Sequence, residues 1–257
     1  MICLIRHKKK AAAVLKNNNG RDMKILAVDS ATRSCSVAIM DGERLLAERI
    51  LNHGGTHTTE LMPMIDSLLN DCGLSIHNMG GLAVTIGPGS FTGLRIGLST
   101  VKGLAFAVSL PVAGISSLDA LASQAFFAAV RICPMIDARK GEVYTAEYTH
   151  TDGRLKPSGA ARAVSPAEAA RSISSPCLFV GNGARLYKDV ITDIAGQWAN
   201  FLPEEQSHVR AATVGRLGHQ LLTSGQATPL SLLTPWYIRD SDAKKYAGSF
   251  LPDQNTV

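Results

Sequence analysis

The spacing of apolar positions changes several times along the chain, and each change marks an element. Lys24–Val28 and Cys35–Met40 are short apolar runs on either side of the polar turn Asp29–Ser34. Asp41-Gly42 then gives a hairpin signal leading into a third strand over Arg44–Ile50. From about Thr58 to Cys72 the period becomes helical: Leu61, Ile65, Leu68 and Cys72 form a stripe, widened by Met62 and Leu69, and Gly73 stops it. Pro63 is expected near the first turn, where a missing N–H costs least. A strand over Leu82–Ile86 runs into Gly87-Pro88-Gly89, and a helix over 91–108 follows, capped by Ser90 or Thr92. Arg95 and Lys102 are its only charges. Leu94, Leu98, Val101, Ala105 and Val108 make one apolar stripe, and Gly93, Gly97, Val101 and Leu104 a second, flatter one. A helix apolar nearly all round is covered on both sides. The pattern alone fits either a core helix of a large domain or a helix with one face on its own sheet and the other on a partner, with Gly89, Gly93 and Gly97 admitting a close helix.

A fifth strand over Val112–Ile115 closes this block. A helix over 118–130 is expected to lead into a hairpin of Ile132–Asp137 and Glu142–Thr149, turning over Ala138–Gly141. Cys177–Val180 reads as a later strand, followed by Gly181-Asn182-Gly183, and 186–225 as helical in places. The order strand, strand, strand, helix, strand, helix, strand predicts an α/β fold with a mixed sheet. No repeat is visible at the residue level; an echo between the two blocks would lie in the fold.

The glycine turn is not a Walker A loop, because no Gly-Lys-Ser/Thr follows. It is one residue off the dinucleotide fingerprint and lacks an acidic residue about 20 positions on. His53 and His57 have helical metal-ligand spacing, but Gly54-Gly55 between them opposes a helix, so His57 reads as a polar contact at a helix start. No Ser/His/Asp order and no metal site stand out. The five cysteines are odd in number and lack any Cys-x-x-Cys, which fits reduced thiols in cytoplasm. Residues 1–22 hold six of the 26 basic residues against Asp22 alone, so the remaining 235 residues are balanced at 20 basic and 20 acidic. A balanced body argues against RNA binding by bulk charge. The first 22 residues are expected as an extension outside the fold, with Met23 as the natural start, and 241–257 as a flexible tail. No apolar run is expected to span a bilayer.

Residues 87–105, GPGSFTGLRIGLSTVKGLA, closely resemble the signature of the TsaB (YeaZ) family, bacterial subunits of the machinery that makes N6-threonylcarbamoyladenosine in tRNA. Ile25–Thr32, Ile136–Tyr144 and Pro235–Arg239 agree with that family in the same order. The resemblance covers about Met23 to Arg239. It implies two ribonuclease-H-like subdomains of the actin/Hsp70/sugar-kinase superfamily, at 23–117 and 118–240, with mixed sheets and flanking helices. It implies a non-catalytic, cytoplasmic subunit without metal or cofactor of its own, pairing with the catalytic protein TsaD through helices 58–72 and 91–108. The partner-facing residues would be Leu61, Ile65, Leu68, Gly93, Leu94, Gly97, Leu98, Val101 and Leu104. An ATPase, TsaE, would join, tRNA would be met through the complex, ATP or ADP would lie at an intersubunit site, and a lone chain would pair with itself.

The superfamily places phosphate-facing carboxylates where this chain has Asp29, with Thr32 nearby, and Asp137. Gly181-Asn182-Gly183-Ala184 echoes its adenosine glycine pair. Neither aspartate is followed by glycine, which removes the usual phosphate cradle. TsaD holds metal with His-x-x-x-His, and the matching stretch Ser116–Ala122 has no histidine. Two other readings compete: an ATP-dependent kinase or transferase acting through Asp29 and Asp137, and a tRNA-binding module using the basic arm.

Overall fold

The computed structural model describes residues 23–52, 57–151 and 153–239. The arm 1–22, His53 and the tail 240–257 lie outside them. The first sheet contains β1 (Lys24–Asp29), β2 (Cys35–Asp41), β3 (Arg44–Leu51), β4 (Gly81–Gly87) and β5 (Val112–Ser116) in the order β3-β2-β1-β4-β5. The first three form an antiparallel meander, and β4 and β5 join in parallel. In β1, every residue after Lys24 is buried because both faces of the sheet are covered. Leu26 and Val28 share a core with α1 (His57–Asp71) and α2 (Phe91–Val108), while Ile25 and Ala27 lie under α7 (Ala211–Thr223).

The second sheet repeats this plan. β6 (Arg131–Arg139), β7 (Glu142–Thr145) and β10 (Arg162–Val164) are antiparallel neighbours, and β11 (Cys177–Val180) and β12 (Ala199–Phe201) join β6 in parallel. The order β10-β7-β6-β11-β12 matches the first sheet position for position, with the hairpin β8 (Tyr148–Thr151) and β9 (Arg154–Pro157) added beside β6. Each sheet is a ribonuclease-H-like mixed sheet, and the echo between the blocks lies in topology. Between the sheets sit α3 (Ser117–Gln124) and α7. The outer face of the second sheet is covered by α4 (Pro166–Arg171) and α6 (Lys188–Ala195), with α5 (Asn182–Leu186) at the end of β11.

Three local expectations change. Residues 118–240 do not form one block: α7 packs on β1, β2, β4 and β5, and Thr228 N–H donates to Val112 O at 2.7 Å. The first sheet needs that helix because its inner face carries Ile25, Ala27, Met40 and Ala83. The helix after β5 ends at Gln124 rather than Val130, because turns closed by Ala125 N–H to Ala122 O and Ala128 N–H to Ala125 O redirect the chain into β6. Pro63 is the seventh residue of α1, on its exposed face, rather than in the first turn.

The bounds of α2 match expectation. Ser90 caps it, accepting Gly93 N–H on Oγ at 3.2 Å, and Ser109 ends it at φ 55°. Contrary to the expectation from runs alone, α2 has the length and composition to cross a bilayer, as one helix among the described residues does. Its packing is that of a sheet helix: Leu94, Leu98, Val101 and Ala105 are buried on one side.

Candidate functional site

In open α/β sheets ligands gather outside the carboxyl ends of parallel strands. Asp29 ends β1 there and is fully buried. Its Oδ1 accepts from Thr85 Oγ1 at 2.8 Å and from Ala31 N–H at 3.2 Å, while Oδ2 has no partner among the described residues. Burial pushes its pKa up to about 7, and the two hydrogen bonds pull it only part of the way back. Near neutral pH the group is therefore a mixture of acid and anion. Thr32 does not reach it in the hydrogen-bond network; its hydroxyl pairs with Ser34 Oγ at 2.9 Å.

The β1–β2 turn is clamped by the starts of α1 and α2. Ser90 N–H donates to Ala31 O at 2.7 Å, Ser30 Oγ to Gly93 O at 2.8 Å, and His57 Nε2 to Thr32 O at 2.7 Å. A Cβ on Gly89 would stand 2.2 Å from Ala31 O, on Gly93 2.1 Å from Ser30 O, and on Gly97 2.2 Å from Ser30 Oγ. The glycines expected to admit a partner helix instead admit this chain's own turn.

The same correction applies to the expected partner residues. Leu61, Ile65, Leu68, Gly93, Leu94, Gly97, Leu98 and Val101 are buried within the chain, and Leu104 alone is part-exposed. The apolar stripes that periodicity reveals are consumed in covering the sheet. Outward, α2 presents Thr92, Arg95, Ser99, Gly103, Phe106 and Ala107, with Phe106 82% exposed and open space around Gly103. Beside it α1 presents Met62, Pro63, Asp66 and Asn70.

In the second sheet, Asp137 lies near the carboxyl end of β6. Its Oδ1 accepts Arg139 N–H at 2.9 Å, and Arg139 Nε lies 3.8 Å from Oδ2. Asn182 Oδ1 accepts Asp137 N–H at 3.3 Å, and a Cβ on Gly183 would be 3.0 Å from that same nitrogen. The structure thus brings Asp137 and the Gly181–Gly183 turn together. It leaves Arg139 and Lys140, both at positive φ, where a phosphate-cradling glycine would be needed.

The segment Pro235–Arg239 connects the two sheet ends. Trp236 N–H donates to Ile86 O at 2.7 Å, and Trp236 O fills the space that a Cβ on Gly87 would take. Tyr237 stacks on Phe91 at 5.1 Å and accepts from Arg95 Nε at 3.3 Å, while the Arg95 guanidinium lies 3.8 Å above Phe91. Arg239 donates to Ala138 O at 2.9 Å and pairs with Glu142. Sequence reasoning gave these residues no structural role; their only local signal is a cluster of Trp, Tyr and Arg in a polar stretch. Among the described residues no three His, Cys, Asp or Glu side chains cluster for a metal ion.

A family model for TsaD, tRNA N6-adenosine threonylcarbamoyltransferase, matches residues 46–247. The tRNA threonylcarbamoyladenosine biosynthesis protein TsaB of Bacillus subtilis (strain 168) is 31% identical over 225 residues, covering 86% of this chain and 96% of its own. The protein of the same name from Escherichia coli (strain K12) is 32% identical over 232 residues, covering 87% and 97%. Among solved structures, YeaZ from Pseudomonas aeruginosa superposes with a TM-score of 0.71 at 28% identity, covering 84% of this chain and 99% of that one.

Proposed function

The chain belongs to the TsaB (YeaZ) family, and from that membership we propose that it serves threonylcarbamoyladenosine synthesis in tRNA as a non-catalytic subunit that binds and activates TsaD. The observation that carries this reading is the outer face of α1 and α2. On α2 it presents Thr92, Arg95, Ser99, Gly103 and Ala107 with an 82% exposed Phe106 and no acidic residue, beside Met62, Pro63, Asp66 and Asn70 of α1. The match of a TsaD family model to 46–247 supports a partner of the same fold, carrying counterparts of both helices. Two such helix pairs can pack face to face, burying Phe106, Ala107 and Met62, and Gly103 allows close approach.

The sheet ends support the absence of chemistry here. Asp29 is sealed, and Asp137 is held by the backbone of its own turn. ATP or ADP, where it takes part, lies at the boundary with TsaD, and TsaE and tRNA are met through the complex. Without TsaD the same face pairs with a second copy. The test is reconstitution: TsaD and TsaE modify tRNA only when this chain is added. Asp29→Ala and Asp137→Ala sustain modification, while Phe106→Asp does not. Loss of modification with Asp29→Ala despite intact TsaD binding would favour the kinase or transferase reading instead.

A further inference from the structure

The Gly87 end of the first sheet and the Ala138 end of β6 in the second are bridged by the segment Pro235–Arg239. The contacts fall on both sides. On the first sheet, Trp236 N–H holds Ile86 O at 2.7 Å, Trp236 O lies against Gly87, and Tyr237 is clasped by Phe91 and Arg95. On the second, Arg239 holds Ala138 O at 2.9 Å and pairs with Glu142, directly beside Asp137. Ile238, between these anchors, packs against the core shared by the two sheets.

We propose that Pro235–Arg239 is a latch: it ties the Ile86–Gly87 end of the first sheet to the β6–β7 turn of the second, with Arg239 as the bolt on the second sheet. The chemistry is directional. Backbone and aromatic contacts fix the Trp236–Tyr237 end, whereas the far end depends on one guanidinium making a carbonyl and a carboxylate contact. Losing that side chain frees the latch without emptying a core site, because Arg239 is only half-buried. Release of the segment and loosening of the β6–β7 turn are then one event. Gly87 belongs to the same device: its φ of 121° and lack of Cβ let the Trp236 carbonyl approach.

The test is hydrogen exchange by mass spectrometry on the full chain alone, so its outcome is independent of whether TsaD is the partner. In the wild type, peptides over 234–239 and 138–142 are protected. Arg239→Ala speeds exchange in both 234–239 and 138–142 by about tenfold or more, as loss of a charge-assisted hydrogen bond requires, and leaves β1 and β4 unchanged. Tyr237→Ala, which loosens the opposite anchor, speeds the same two peptides. The proposal is overturned if Arg239→Ala leaves 138–142 as protected as before.

Discussion

At Asp29, burial opposes charge and two hydrogen bonds favour it, and burial prevails. The sign of the resulting pH dependence is fixed. The carboxyl titrates near 3.8 when unfolded and about 7 when folded, so between those values the folded chain keeps a proton that the unfolded chain has lost. Stability therefore falls as pH rises from about 4 to about 7 and is level above that. Asp29→Asn lacks this slope. From pH 5 to pH 8, the stability difference should move in favour of the variant by about 2–3 kcal/mol in denaturant titrations; an equal difference at both pH values would contradict the assignment. Gly97 tests the clamped turn. Gly97→Ala sets a methyl against Ser30 Oγ and should cost about 1–3 kcal/mol. Ser30→Ala removes the obstructing oxygen, so a double-mutant cycle should show the two costs to be less than additive. The sequence showed that Gly97 needs a close neighbour but not which one: Ser30 is remote along the chain, and glycine spacing reads the same against a partner helix or a turn.

Among the elements, α2 was legible to its ends because its signals are local: a Ser90 cap and an apolar period that runs out at Val108. Its outward face was not legible, since both stripes turned inward and the exposed surface is the small-residue remainder. Substitutions separate the two faces. Leu94→Asp buries a charge and should prevent folding, whereas Phe106→Asp should leave the melting temperature nearly unchanged. By contrast, the ends of α7 could not be read locally. Its cap residue, Arg210, makes no side-chain cap bond. Its first N–H groups are instead taken by the first sheet, Ala211 N–H by Ser36 Oγ at 3.0 Å and Ala212 N–H by Glu48 Oε1 at 2.9 Å. Glu48, nearly sealed, also binds Arg210 Nε at 2.8 Å. Glu48→Ala strands both partners and should cost about 2–4 kcal/mol in denaturant titrations; a loss below about 0.5 kcal/mol, typical of an exposed pair, would show that the sheet does not cap the helix.

Taken whole, the chain is one topology used twice, with α3 and α7 in the apolar core between the copies. The mixed-sheet plan was readable from the order of strands and helices, because β6–β7 and β1–β2 each announce a hairpin. The return of α7 and the Pro235–Arg239 segment to the first sheet was not, since long-range docking leaves no local period. That return leaves each sheet covered on both faces and the α1–α2 surface as the outer boundary of the first lobe. Under the proposed function it is this boundary, not the sheet ends, that meets TsaD. The direct measurement is light scattering behind size-exclusion chromatography of this chain mixed with TsaD. A heterodimer is expected with the wild type and with Asp29→Ala, and separate species with Phe106→Asp. A Phe106→Asp chain that still forms the full heterodimer peak would contradict it.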